Sequence, residues 1–327
     1  MISKNVLAID AAAATAKIED ALRSQVLGVF KKKGLVVGVS GGIDSAVTAS
    51  LAARAFGKDR VLALFMPERD SSPESLELGR LLVSGLGIPS ILEDIHPILA
   101  AAGCYERQVE AIRMVVPDYE PGSRYKLTLP SILDSDRLNV TYLTLETPAG
   151  ETRKVRLTPP AYLQIVAATN YKQRVRKLTE YYHADRLNYA VSGTPNRLEY
   201  DQGFFVKGGD GLADVKPIAH LYKTQVYALA EYLGVPEEIR RRPPTTDTFS
   251  LPQGQDEFYF SLPHDRMDLC LWAHNHGVAP EDAAPALGLQ PEQVQRVYKD
   301  IEAKRRATRY LHSPPLLVEP VAELAKA

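Results

Sequence analysis

The feature that most constrains this chain is a recurring pair: a short apolar, β-branched run, then a helix-patterned stretch. Residues 35–40 (LVVGVS) and 61–66 (VLALFM) carry almost no polar side chain. Such strands are buried on both faces, as happens where helices cover a parallel sheet on both sides. Helical spacing fills 43–56 after the first run. After the second, Ser72 is placed as an N-cap with Pro73 at the first helical position. Residues 90–95 (SILEDI) and 187–193 (LNYAVSG) read as a third and a fourth strand. Upstream, Ile18, Ala21, Leu22, Val26 and Phe30 predict one helix over 11–31, with Gly34 as its stop. The alternation predicts an α/β fold: a Rossmann-like, doubly wound parallel sheet flanked by helices.

The rhythm changes after a helix-patterned 96–116. Residues 139–158 alternate around Pro148-Ala149-Gly150-Glu151, which is turn chemistry. A β-hairpin insertion over 119–159 is expected, dividing one domain into 1–118 and 160–327. As a long excursion it is either a surface feature without a role, or a lid or partner contact. Helices are expected at 161–183 and 222–233, the latter closed by Gly234, and a largely helical C-terminal part follows.

With 45% apolar and 24% charged residues, the 327-residue chain is an ordinary globular one, which excludes whole-chain disorder. A formal net charge of −1 supplies nothing global to recruit nucleic acid or an anionic membrane. There is no long apolar window, and the first residues lack a charged-then-apolar leader pattern, so a cytoplasmic location is expected. Cys104 and Cys270 sit in apolar surroundings and read as two buried thiols. No Cys/His cluster suggests structural zinc. His274 and His276, one residue apart, fall on different helix faces and read as structural or exposed.

The chemistry concentrates in Ser40-Gly41-Gly42-Ile43-Asp44-Ser45, at the carboxyl end of the first strand and the start of a helix. That is where doubly wound sheets bind ligands. Two glycines let backbone approach an anion, and the first helical amides and helix dipole favour it. Ser40 and Ser45 add hydroxyls. Asp44 beside a polyanion makes sense if Mg²⁺ bridges it to phosphates. The loop is neither GxxxxGK[ST] nor GxGxxG.

It resembles the SGGxDS pyrophosphate loop of the N-type ATP pyrophosphatases, which bind ATP by its β and γ phosphates. Within that superfamily, the run GTPNRLEYDQGFFVKGGDGLADVKPIAHLYKTQVYALAEYLGV (193–235) is similar to the NAD synthetase family, matching GT-x4-E, GFF-x-K, GDG-x-AD, P-x5-K-x-Q and LGxP in order. MPERDSSPES, Asn170–Arg174, Pro244-Thr245-Thr246-Asp247 and Asp256-Glu257 extend the resemblance, which covers about 15–100 and 160–310.

The resemblance implies an ammonia-dependent amide ligase. The carboxylate of deamido-NAD attacks the α-phosphorus of ATP, pyrophosphate leaves, and ammonia converts the acyl-adenylate to amide and AMP. It implies ATP binding by Ser40, Gly41, Gly42, Asp44, Ser45, Thr194, Lys223 and Thr245, with Asp44, Lys223 and Glu199 catalytic and Asp44 and Glu199 holding Mg²⁺. It places Arg174, Lys207, Asp210, Asp214 and Lys304 on the substrate side, and implies a homodimer. Without a glutaminase-sized remainder, free ammonia or a separate ammonia-supplying partner is expected. Where the family carries His-Lys-Arg near the C-terminus, this chain has Ala303-Lys304-Arg305, and the 119–159 segment is foreign to the family pattern. Both departures touch the substrate side, so a ligase amidating another carboxylic acid is the alternative. A tRNA-modifying enzyme on the same loop is a second one. It draws on 280–310 as a helix–turn–helix carrying Lys299, Lys304, Arg305, Arg306 and Arg309; the plainer reading, a solvated basic helix packing on its neighbour, is favoured by the near-neutral charge. No membrane partner is expected.

Overall fold

The computed structural model describes residues 2–133, 141–245, 248–260 and 262–321. Helix α1 (Ala11–Arg23) leads to β1 (Leu35–Gly38), α2 (Ile43–Phe56), β2 (Val61–Phe65), α3 (Pro73–Leu86) and β3 (Ser90–Leu92). Then come α4 (His96–Ala101), α5 (Cys104–Arg113), β4 (Arg124–Thr128), β5 (Tyr142–Glu146), β6 (Thr152–Arg156), α6 (Pro159–Leu187) and β7 (Ala190–Val191). The chain closes with α7 (Arg197–Gln202), α8 (Lys223–Tyr232), α9 (Glu237–Arg241), α10 (His264–Asn275), α11 (Pro280–Leu287) and α12 (Pro291–Thr308).

The first sheet is parallel, in the order β3-β2-β1-β7. Successive residues of β1 point into different cores. Leu35 and Val37 pack with α1, α2, α3 and α8, while Val36 packs with α4, α5 and α6 on the other face. This two-sided burial is why the strand sequence is uninterrupted apolar. The order puts β1 in the middle, so the loop after it opens at the centre of the sheet's carboxyl edge.

Some boundaries differ from the sequence expectation. The 11–31 helix becomes α1 plus a wider π-helical turn, Ser24–Val29, and the chain reverses at Lys31 (φ 55°), before Gly34. Gly34 instead answers a close approach: a Cβ there would stand 2.3 Å from Arg60 O and 2.7 Å from the Tyr189 ring. The 96–116 helix is broken at Gly103 (φ 69°) into α4 and α5. Ser72 does take the N-cap position, with Pro73 at N1. Both cysteines are buried free thiols, raised by burial to about 11 at Cys104 and about 12 at Cys270.

The expected hairpin is β5–β6, pairing Tyr142 with Arg156 and Glu146 with Thr152 around Gly150 (φ 84°). β4 joins it to make a three-stranded antiparallel sheet, β4-β5-β6. Its inner face (Tyr125, Leu127, Leu143, Leu145) packs on α5, the start of α6 and Phe249. Residues 134–140 of the 119–159 segment lie outside the described residues. Among the described residues, no helix is long and apolar enough to cross a membrane.

Candidate functional site

A cavity of about 800 Å³ opens at the carboxyl end of β1, between the parallel sheet, the antiparallel sheet and α12. A smaller one of about 230 Å³ adjoins it, and Ser40, Gln173, Thr194 and Asp210 line both.

The loop after β1 is shaped by one obligatory glycine. Gly41 has φ 75°, and a Cβ would stand 2.3 Å from Ser75 O, so no other residue fits. Gly42, which lines the larger cavity, has no such contact; only Ser40 Oγ comes near, at 3.4 Å. The serines tie the loop to itself. Ser45 Oγ donates to Gly42 O (2.9 Å) and accepts from Ser40 N (3.2 Å), and Ser40 Oγ accepts from Gly42 N (3.3 Å). Gly42 is the N-cap of α2 and offers that helix no side-chain cap, so a first turn with free donors meets the cavity.

Three charges meet there. Lys223, the first residue of α8, is buried and ion-paired with Asp44 Oδ2, while Asp44 Oδ1 accepts from Asn196 Nδ2 at 3.2 Å. Glu199 sits in a capping box that opens α7. Its Oε2 accepts from Asn196 N (3.1 Å), and Asn196 Oδ1 accepts from Leu198 N and Glu199 N. Gln255 Nε2 donates to Glu199 Oε1 at 3.0 Å. Burial, then the neighbouring Asp44 carboxylate, push Glu199 up to about 8 against the pull of Lys223. Burial pulls Lys223 down, but Asp44 and Glu199 outweigh it and raise the ammonium. Two carboxylates thus share one lysine: with both ionised, the site would carry one negative charge that Lys223 does not neutralise.

Thr194 follows β7 and lines both cavities; Thr245 lines the larger one and bridges Gly254. Thr246 and Asp247 lie outside the described residues. The five substrate-side residues divide. Asp210 lines both cavities, accepts from Val206 N at 2.8 Å and is raised by burial. Lys304 lines the larger cavity, paired with Asp300 at 2.6 Å and donating to Tyr259 O; burial lowers it despite Asp300. Arg174, Lys207 and Asp214 line neither cavity. Arg174 Nε donates to Lys207 O, Lys207 Nζ to Tyr310 O and Ser313 O, and Asp214 accepts from Val191 N and Tyr181.

α12 packs on α10 and α11 through Val294, Val297 and Ile301, with Lys299, Arg306 and Arg309 exposed, while Lys304 is largely buried and Arg305 pairs with Asp201 and Glu302. His274 is paired with Glu302 at 2.8 Å, and His276 stacks on Trp272.

Several groups escaped the sequence reading. Asn196 had a visible signal, since Asn-x-x-Glu is a capping-box spacing. Asp268 had none: it arrives from α10 to accept from Lys223 N, Thr224 N and Thr224 Oγ1, capping α8, with burial raising it to about 6. Lys172, fully buried, holds Glu68 (2.9 Å), Asp70 (2.7 Å) and Thr248 O (2.9 Å), joining α6 to two loops beside the cavities. Tyr162, Phe204, Phe258 and Tyr259 give the larger cavity an aromatic side.

The family model described as NAD synthase matches residues 14–125 and 135–309; the gap falls at 126–134, and the β5–β6 hairpin lies inside the match. The chain is 64% identical to an NH(3)-dependent NAD(+) synthetase of Mesorhizobium japonicum, over 97% of this chain and 100% of that one. It is 59% identical to the protein of the same name from Rhizobium meliloti, over 99% and 97%. Among solved structures, an NMN synthetase from Francisella tularensis is similar at a TM-score of 0.66 and 21% identity, covering 95% of this chain and 99% of that one. An NH3-dependent NAD synthetase from Campylobacter jejuni is similar at 0.62 and 23%, covering 95% and 100%. At these identities the structural likenesses speak for the fold.

Proposed function

This chain belongs to the NAD synthase family, and we propose that it is an ammonia-dependent ligase that adenylylates the carboxylate of deamido-NAD and transfers ammonia to give NAD, AMP and pyrophosphate. The observation that carries the reading is the meeting of Asp44, Lys223 and Glu199 at the loop that opens α2.

The first-turn amides of α2 and the Lys223 ammonium stabilise the charge that grows on departing pyrophosphate as the substrate carboxylate attacks the α-phosphorus. Ammonia then attacks the acyl carbon, the C–O bond to AMP breaks, and a proton leaves the nitrogen to solvent. The chain needs no covalent nucleophile; both thiols are buried and raised. Most of the acceleration is positioning of two nucleotides in one cavity.

Asp44 and Glu199 are hard oxygen donors that Lys223 alone does not neutralise once both are ionised, which fits Mg²⁺. They would hold it, and the ion supplies charge neutralisation on phosphate oxygens when bound. Thr194 and Thr245 supply hydroxyls to ATP, and Asp210 and Lys304 face the acyl acceptor. A homodimer is supported by Leu163, Leu178 and Tyr182, three large side chains exposed along α6; sedimentation at two concentrations tests it. Ammonia comes free or from a separate partner.

A second reading, amidation of another carboxylic acid, is favoured by Arg174, Lys207 and Asp214 lying outside both cavities. The deciding experiment follows pyrophosphate release from ATP, Mg²⁺ and ammonium with and without deamido-NAD. Release that depends on deamido-NAD and yields NAD is expected. ATP binding without that dependence transfers the reading to another acid.

A further inference from the structure

The antiparallel sheet has an edge problem. β4 pairs with β5 on one side, and its other edge carries backbone groups that need partners. Those partners come from residues 250–257. Tyr125 N donates to Ser250 Oγ (2.8 Å), Leu251 N to Tyr125 O (3.1 Å) and Leu129 N to Glu257 O (3.3 Å), and Gln253 Nε2 bonds Leu127 O. Lys126 Nζ binds both Pro252 O (3.2 Å) and Glu257 Oε2 (2.6 Å). The segment runs along β4 much as a fourth strand would.

The same segment reaches the reaction site. Gln255 lines the larger cavity and donates to Glu199, and the flanking Thr248, Phe249 and Phe258 line it too. From the opposite side, Lys172 grips Thr248 O. A chain held by β4 on one side and by Lys172 on the other has little freedom to withdraw Gln255.

We propose that the β4–β6 sheet is a brace for the ATP site: the Lys126–Glu257 pair and the β4 edge position residues 250–257 so that Gln255 orients the Glu199 carboxylate. Lys126 and Glu257 are positioning residues; neither lines the cavity. This deepens the reading of 119–159 from an excursion to a working part of the site. It rests on the ATP-site assignment above, and it is independent of which acid is amidated.

The test uses the full chain and three variants: Lys126→Glu, Glu257→Lys and the double swap. Lys126 is partly exposed and Glu257 half-exposed, so neither change places a charge in the core, and the thermal midpoint checks that the fold is kept. The measurements are hydrogen exchange of amides 250–257, ATP binding without acyl acceptor, turnover and thermal midpoint. Each single reversal is expected to speed exchange of 250–257 and to lower turnover, both by roughly three- to tenfold, with the midpoint nearly unchanged. The swap is expected to return both towards wild type. Ser250→Ala, which leaves Tyr125 N without its partner, gives a second route to the same exchange signature. Faster exchange with turnover and ATP binding unchanged would overturn the brace, as would unchanged exchange in both single variants. If no variant, nor the wild type, makes amide from deamido-NAD, the acceptor assignment fails while exchange and ATP binding still judge the brace.

Discussion

On the parallel-sheet side, the loop after β1 is held by bonds spanning two to five residues: Ser40 with Gly42, Gly42 with Ser45, Ser40 with Ser45. Behind the cavity's other side, β4 and 250–257 are joined by bonds such as Tyr125 N to Ser250 Oγ, which spans 125 residues. The first side is a motif, with one backbone solution and an obligatory Gly41. The second is an assembly whose parts mean little apart. Local bonds shape the anion loop, while the groups that meet at it, Lys223 with Asp44 and Gln255 with Glu199, arrive from distant parts of the chain.

The sharpest test of that contrast removes the charges that meet at the loop after β1. Lys223→Met deprives two carboxylates of their shared cation and, in the proposed mechanism, the pyrophosphate of its counter-charge. Turnover is expected to fall by about 10²–10³ or more. Glu199→Gln should cut turnover more than ATP binding, read by rapid quench and by titration. Equal turnover in Glu199→Gln would sink its metal role.

Next in size is the core of the antiparallel wall. Leu143 is fully buried between β4 and β6, so Leu143→Ala should cost about 2–5 kcal/mol in denaturant unfolding. Its effect on ATP binding should be small beside that of Gly41→Ala, which forces a Cβ into the Ser75 backbone at φ 75°. A reversal of that order would mean the two sides do not differ as described.

A pH series sharpens the electrostatic half. Glu199 is raised to about 8, so metal-free folded protein keeps a proton that the unfolded chain loses above its ordinary carboxyl range near 4. Between those limits the folded state binds more protons, and stability falls as pH rises. The loss should be on the order of 2–3 kcal/mol from pH 6 to 8. Glu199→Gln should flatten the slope, as should Mg²⁺ if it binds the ionised form. An unchanged slope in Glu199→Gln would assign the titration elsewhere.

What could be read in the sequence follows the same division. The buried strands, α2 and the anion loop were legible because burial pattern and loop chemistry are local. The hairpin was legible from its alternation and turn, but β4 was not: its contribution depends on Ser250 and Glu257, far along the chain. Residues matched by order, such as Asp44, Glu199 and Lys223, do converge. Arg174, Lys207 and Asp214 were matched the same way and lie outside the cavities, because sequence order fixes a place along the chain and not which way a loop faces. Lys172 and Asp268 were invisible for the converse reason: each is explained only by partners from other elements.

The smallest predicted effect tests whether the antiparallel wall also touches substrate. Four cations line the larger cavity, and three are engaged: Lys223 with Asp44, Lys304 with Asp300, and Arg242 with Ser75 and Glu74. Arg156, at the end of β6, is exposed and has no ion pair or hydrogen bond among the described residues. An exposed guanidinium lining an aromatic-sided cavity suits the phosphates of a dinucleotide. Arg156→Ala should raise KM for the acyl acceptor by about fivefold, worth about 1 kcal/mol, with KM for ATP and turnover at saturation unchanged. A rise in KM for ATP instead would put the ATP phosphates, and not the acceptor, under the antiparallel wall.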